Sequence, residues 1–243
     1  MDGGEARAVR QRLESLLRAG VEQLPRARAA APPAPASSEP GPAPAGPAPP
    51  EGTPPEEQAA ALELLRGEVA ACTRCGGLAA ARANTVFGSG PADARLVFFG
   101  EAPGADEDAS GEPFVGRAGQ LLTKIIEACN LRREEVYIMN VLKCRPPGNR
   151  TPLPGEVANC RPFFERQLQI IRPEFICCLG ASAARALLDT GDSIGRLRGR
   201  WFQYGSAQVL CTYHPSYLLR KPEAKRDVWD DMKRLMARMG VTL

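Results

Sequence analysis

Four short apolar runs punctuate the chain beyond residue 90. They are Arg95-Leu96-Val97-Phe98-Phe99-Gly100, Val136-Tyr137-Ile138-Met139-Asn140, Glu174-Phe175-Ile176-Cys177-Cys178-Leu179-Gly180 and Ala207-Gln208-Val209-Leu210-Cys211-Thr212. None alternates polar with apolar positions, as expected of strands covered on both faces. Between and after them, residues 119–129, 155–171, 181–188 and 223–239 carry apolar positions at helical spacing. Strands alternating with helices predict an α/β fold: a three-layer α/β/α sandwich around a central four-stranded, mainly parallel sheet. Ligands of such sheets bind at the carboxyl ends of the strands, so chemistry is to be sought just after each run.

The first quarter of the chain reads differently. Val9, Leu13, Leu16, Leu17 and Val21 are spaced for a short amphipathic helix over residues 1–24. Residues 25–55 are dominated by Pro, Ala and Gly, with almost no side chain able to build a core. This predicts a flexible, partly polyproline-II linker. The globular domain is then expected over 56–243. The helix is read as a frayed extension or as a docking element for a repair or replication partner.

Composition adds limits rather than an answer. A net charge of +3 permits an anionic partner without requiring one. No apolar run approaches the roughly 18 residues of a membrane span, and the N-terminus lacks the apolar segment of a secretory signal. The expectation is a cytoplasmic protein with no membrane association, acting as a monomer. Disulfides are disfavoured in a reducing compartment, so the 8 Cys call for another explanation.

Residue types at the strand ends suggest a pocket. The first run leads into Gly100-Glu101-Ala102-Pro103-Gly104-Ala105-Asp106-Glu107-Asp108, a turn that lets backbone approach a ligand beside acidic groups. Phe114 follows on a Pro-containing loop, suited to stacking on a flat ring or to anchoring the loop in the core. Asn140 ends the second run, where it either contacts a ligand or forms a turn. His214, the chain's 1 His, follows the fourth run before a stiffening Pro. The triplet Asp106-Glu107-Asp108 is read as a solvated face. These acids also suit a Mg²⁺-dependent nucleotide-processing enzyme, but no Gly-x-x-x-x-Gly-Lys-[Ser/Thr] phosphate loop accompanies them.

Among the cysteines, Cys129, Cys177, Cys178 and Cys211 lie in apolar patterns and behave as small hydrophobes. Cys72 and Cys75 form a C-x-x-C pair, while Cys144 and Cys160 lie in polar, Pro-rich surroundings where burial for packing is not expected. These four are a thiolate set for either tetrahedral Zn²⁺ or a [4Fe–4S] cluster. The loose spacing of the second pair favours the cluster without excluding zinc.

Several motifs occur here in one order. They are Cys72-x-x-Cys75, Gly100-Glu101-Ala102-Pro103-Gly104, Gly111-Glu112-Pro113-Phe114-Val115-Gly116-Arg117-Ala118-Gly119, Asn140-x-x-Lys143-Cys144-Arg145-Pro146, Thr151-Pro152, Cys160-Arg161-Pro162-Phe163 and His214-Pro215-Ser216. In these the chain resembles family 4, the iron–sulfur branch, of the uracil-DNA glycosylase superfamily, from about residue 60 onward. The resemblance implies an enzyme of base excision repair that flips uracil from single- or double-stranded DNA and hydrolyses its N-glycosidic bond. It implies that Cys72, Cys75, Cys144 and Cys160 ligate a structural [4Fe–4S] cluster. It implies that Glu101 and Ala102 line the pocket at the glycosidic bond and that Phe114 stacks on uracil. Asn140 would then pair with the polar edge of the base, His214 would face O2, and Glu107 would lie near C5. Glu101 and His214 are thus the expected catalytic residues.

Flipping a base costs a few kcal/mol and leaves a gap in the stack. The segment Tyr217-Leu218-Leu219-Arg220-Lys221 after His214 could fill it, with Ser216, Leu218 and Arg220 as DNA contacts. Leu218 and Leu219 read equally as core contacts at a helix start. Arg145 and Arg150 are a further pair for the DNA backbone. Ala102 stands where another branch of the superfamily has a water-handling Asp, so that role must fall to Glu101, the Ala102 carbonyl or a water held by His214. No His follows the second run, where another branch carries one that traps uracil covalently. The alternative to all of this is a non-catalytic nucleic-acid-binding module with a structural four-Cys metal site.

Overall fold

The computed structural model describes residues 54–243. The expected N-terminal helix and all but the last residues of the linker lie outside the described residues. Helix α1 (Pro55–Ala70) opens the described chain, followed by α2 (Gly76–Ala81). The sheet strands are β1 (Leu96–Gly100), β2 (Tyr137–Asn140), β3 (Phe175–Leu179), β4 (Trp201–Tyr204) and β5 (Ala207–Thr212). Helices α3 (Ala105–Ser110) and α4 (Arg117–Ala128) join β1 to β2, and α5 (Pro154–Ile171) joins β2 to β3. Helices α6 (Ala181–Leu188) and α7 (Ile194–Leu197) precede β4. Helices α8 (Pro215–Arg220) and α9 (Lys225–Met239) follow β5.

The sheet order is β2-β1-β3-β5-β4, with four strands parallel and β4 antiparallel to β5. The expected α/β/α sandwich is therefore present, with five strands instead of four among the described residues. The missed strand, β4, is a half-exposed edge with no continuous apolar run, so nothing in its pattern marked it.

Successive β1 residues feed opposite layers, which is why the strand shows no alternation. Val97 and Phe99 pack with Leu65, Phe164 and Ala184 on one face. Leu96 and Phe98 pack with Leu122, Val228 and Met232 on the other. Truncating a buried Phe to Ala in such a layer costs about 3–5 kcal/mol, so each face is a substantial core. Cys129, Cys177, Cys178 and Cys211 are all fully buried within it, as small hydrophobes should be. No described helix is long and apolar enough to cross a membrane.

Candidate active site

The strand order sets the site. With β2, β1, β3 and β5 adjacent and parallel, the residues that follow them collect along one edge. Gly100 and Asn140 are register partners across β1 and β2. Beyond the last pair, Val141 N–H donates to Gly100 C=O at 3.0 Å and Leu142 N–H to Glu101 C=O at 3.1 Å, so the two strand ends leave the sheet stitched together.

Asn140 is 2% exposed, and its Oδ1 has no hydrogen-bond partner among the described residues. A buried amide oxygen left unpaired costs about 1–3 kcal/mol, so this one asks for an external donor. The Phe114 ring shares its surroundings. A methyl group placed on Gly100 would lie 2.3 Å from Asn140 Oδ1 and 2.6 Å from Phe114 Cζ. Glycine at 100 is thus what lets an amide and an aromatic ring meet over the end of β1.

Phe114 itself is held in a left-handed backbone conformation, φ 53°, which is unfavourable for a residue with a side chain. The surrounding loop compensates. Glu107 accepts from Gly104 N–H (3.0 Å), Val115 N–H (2.9 Å) and Gly116 N–H (3.0 Å). Arg133 donates to Pro113 C=O at 2.6 Å and to Thr123 Oγ1 at 3.0 Å. Gly119 leaves room for the Phe114 carbonyl, which a Cβ there would overlap at 1.8 Å. The reading of Asp106-Glu107-Asp108 as a solvated face is corrected: Glu107 and Asp108 are buried, and Asp108 accepts from Ala83 N–H at 3.1 Å. Both carboxylates are consumed in tying loops. Glu101, by contrast, is half-buried at the end of β1, and its carboxylate makes no hydrogen bond or ion pair among the described residues.

His214 completes the group. Its ring centroid lies 5.6 Å from that of Phe114. Ser216 N–H donates to Nδ1 at 3.1 Å, and Ser216 Oγ lies 2.8 Å from the same nitrogen. With Nδ1 occupied as an acceptor, the ring proton resides on Nε2. Burial, aided by the charge of Arg220, pushes the imidazole pKa down to about 4. His214 is therefore a neutral donor at neutral pH. Gly180 at the end of β3, with φ 90°, backs the ring; a Cβ there would sit 3.1 Å from His214 Cβ.

Comparison with known proteins gives this arrangement its relatives. Residues 87–233 match the sequence profile of the uracil DNA glycosylase superfamily. A type-4 uracil-DNA glycosylase of Thermotoga maritima is 46% identical over 177 residues, covering 71% of this chain and 92% of the relative. One from Archaeoglobus fulgidus is 44% identical over 69% of this chain and 88% of its own length. A type-5 enzyme of Pyrobaculum aerophilum is 32% identical, over 53% of this chain. The chain belongs to the type-4 uracil-DNA glycosylases.

In this type-4 uracil-DNA glycosylase, the four cysteines singled out by sequence come together. Cys72 and Cys75 follow α1, Cys144 follows β2, and Cys160 lies in α5; all four pack on the same core layer. Cys144 and Cys160 are buried, contrary to what their polar neighbours suggested, because both pack into the core layer that holds Leu65, Leu78 and Phe164. Burial raises the Cys144 thiol pKa and pushes that of Cys160 up to about 11. Donors surround the sulfurs. Arg82 reaches Cys144 Sγ at 3.1 Å and Cys72 C=O at 2.9 Å, and Asn159 Nδ2 reaches Cys75 Sγ at 3.3 Å. The Lys143 backbone N–H points at Cys160. No three His, Cys, Asp or Glu side chains among the described residues converge closely enough to hold one metal ion.

The other candidates divide. Ser216 is engaged with His214. Arg220 is exposed on α8. Arg145 donates to Asn149 Oδ1 at 2.7 Å, and Arg150 pairs with Glu156 at 2.6 Å. Leu218 is corrected: at 1% exposure it faces the core, whereas its neighbour Leu219 is 39% exposed. One turn of helix puts consecutive residues on different faces, and the sequence could not say which faced out. Sequence reasoning also missed Gly180, Arg133 and Lys143. Lys143 is fully buried, donating to Phe87 C=O and Asn140 C=O at 3.1 and 2.9 Å. Gly180 could have been flagged by its place directly after β3, whereas nothing in the sequence marked Arg133, in the turn ahead of β2.

Proposed function

We propose that this protein releases uracil from DNA by hydrolysing the N-glycosidic bond, leaving an abasic site. The observation that carries this reading is the unpaired, buried Oδ1 of Asn140 beside the Phe114 ring. Uracil offers an N3–H donor to that oxygen and an O4 acceptor to Nδ2, while its flat face stacks on Phe114. Cytosine reverses both polarities and would leave buried groups unpaired, a penalty able to supply large discrimination.

As the bond between C1′ and N1 breaks, negative charge grows on uracil O2. The Nε2–H of neutral His214, fixed by Ser216, supplies a preorganised donor for that charge. Its low pKa keeps the donor neutral, so its field acts where charge develops. A water molecule adds to C1′, and its proton passes to a base. Glu101 is the strand-end acid left without a partner when Glu107 and Asp108 are committed to backbone N–H groups, so we assign it that role. The exposed Leu219, with Arg220 and Lys221 beside it, suits the gap left by the flipped base and its flanking phosphates. Arg145 and Arg150 suit backbone contacts farther along.

The cysteine group suits a [4Fe–4S] cluster. N–H donors aimed at three of the sulfurs would stabilise their thiolates once a metal offsets the burial that raises Cys144 and Cys160, and the loose spacing of Cys144 and Cys160 favours the cluster over zinc. Cys72, Cys75, Cys144 and Cys160 would hold the cluster, which would supply cross-linking of α1, the β2 loop and α5 rather than redox chemistry. The test is uracil release from a uracil-containing oligonucleotide by anaerobically purified protein, with a cytosine oligonucleotide as control. Binding without base release would refute the proposal.

A further inference from the structure

Asp231 on α9 is a carboxylate at 2% exposure that the reaction does not use. Burying a charge costs several kcal/mol unless it is paired, and an apolar side chain would fill the same space without that penalty. The fold alone does not call for it, so its partners matter. Its Oδ2 accepts from Thr212 Oγ1 at 2.7 Å and from Arg198 Nε at 3.1 Å. Arg198 also donates to Asp227 C=O at 2.6 Å, and its guanidinium lies 5.1 Å from the Tyr213 ring centroid.

Thr212 and Tyr213 are the two residues that lead into His214. At Thr212 the strand ends, and the chain turns to present the imidazole beyond the sheet's own hydrogen bonds. We propose that Asp231 is a positioning residue for His214, gripping Thr212 directly and Tyr213 through Arg198. The grip extends past the histidine, because Tyr213 stacks on Tyr217 at 4.8 Å and Tyr217 N–H donates back to His214 C=O at 2.8 Å. His214 is thus bracketed on both sides by side chains that trace to one buried oxygen.

The inference rests on His214 being the donor to O2, as proposed above. Its test uses the full-length holoprotein with Thr212→Val, which removes the hydroxyl, and Thr212→Ser, which keeps it. With 1 His in the chain, the imidazole ¹⁵N signals report on this side chain alone. Thr212→Val should lower kcat roughly 10-fold, less than outright loss of a transition-state donor, with KM within about 2-fold. It should also shift or broaden the imidazole signals, and Thr212→Ser should restore both readouts. Asp231→Asn should act in the same direction where it folds. A Thr212→Val protein with a lower Tm but unchanged kcat and imidazole spectrum would reduce the network to packing and overturn the proposal. Should the unmodified protein release no uracil, the functional reading fails by itself, and the imidazole spectra still decide whether Asp231 holds His214.

Discussion

Replacing His214 by Asn and measuring unfolding by urea at about pH 7.5 and about pH 5 isolates the state of the imidazole. In the unfolded chain the ring titrates near 6.5, whereas in the folded protein burial holds it down to about 4. Above 6.5 both states are neutral and the histidine contributes no pH dependence. As pH falls from 6.5 towards 4, the unfolded chain gains a proton that the folded protein refuses, so stability is lost across that window. At pH 5 the linkage amounts to about 2 kcal/mol. Other groups titrate too. Glu68, Glu156 and Glu174, held low by Arg partners, lose stability as pH falls further, and the buried ammonium of Lys143, pushed down to about 7, acts on the alkaline side. All are common to both proteins and cancel in the difference. The native protein should therefore lose about 2 kcal/mol more than His214→Asn between the two pH values. A difference below about 0.5 kcal/mol, or of opposite sign, would mean that the ring titrates as in water. The neutral-donor argument would then fall with it.

Asn140→Leu should cut kcat/KM for uracil release about 100-fold or more while leaving the thermal midpoint near that of the native protein, because it removes an unpaired polar group from the core; oligonucleotide kinetics alongside a melting curve check both halves. Gly100→Ala should abolish uracil release, since its methyl group would fall 2.3 Å from Asn140 Oδ1; retention of more than about a tenth of the activity would show that the pocket tolerates it. Stripping the proposed cluster with an oxidant and chelator should lower the thermal midpoint by about 5 °C or more, as three chain segments lose their tie. A midpoint that does not move would leave the cysteines without a structural role. Because ligation needs thiolates and Cys160 is raised to about 11, iron uptake on reconstitution should release protons and improve as pH rises, which a pH series of iron content measures.

Most of the architecture was legible because the strong signals were local. The four parallel strands are buried on both faces, so their apolar runs stand out, and of the motif residues Asn140 ends one strand and His214 lies two residues beyond another. What failed depended on which way a residue faces. Strand β4 gains its place only by pairing with β5 at an edge. Leu218 and Leu219 are indistinguishable in sequence and differ only by helix phase. Burial of Cys144 and Cys160 was not expected from their polar neighbours, yet both pack in a core layer that is assembled from segments far apart in sequence. Glu107 and Asp108 looked like a charged surface because charge runs are usually solvated, but here each meets backbone N–H groups that a loop could not satisfy internally.

That last miss explains how the pocket is organised. The acids of the β1 loop are adjacent in sequence, yet they are sorted by their hydrogen bonds into builders and a remainder. Glu107 spends three acceptor contacts on the loop that strains Phe114 into its left-handed conformation. Asp108 ties the same helix to the segment at Ala83. A carboxylate held by amide donors cannot turn towards a substrate without giving up those bonds. Glu101 carries no such commitment and stands directly at the end of β1, one residue after Gly100. The same logic applies to the histidine, whose Nδ1 is committed to Ser216, which leaves Nε2 for the role proposed above. In both cases the atom to which we assign a role is one without a hydrogen-bond partner among the described residues, as is the buried amide oxygen of Asn140.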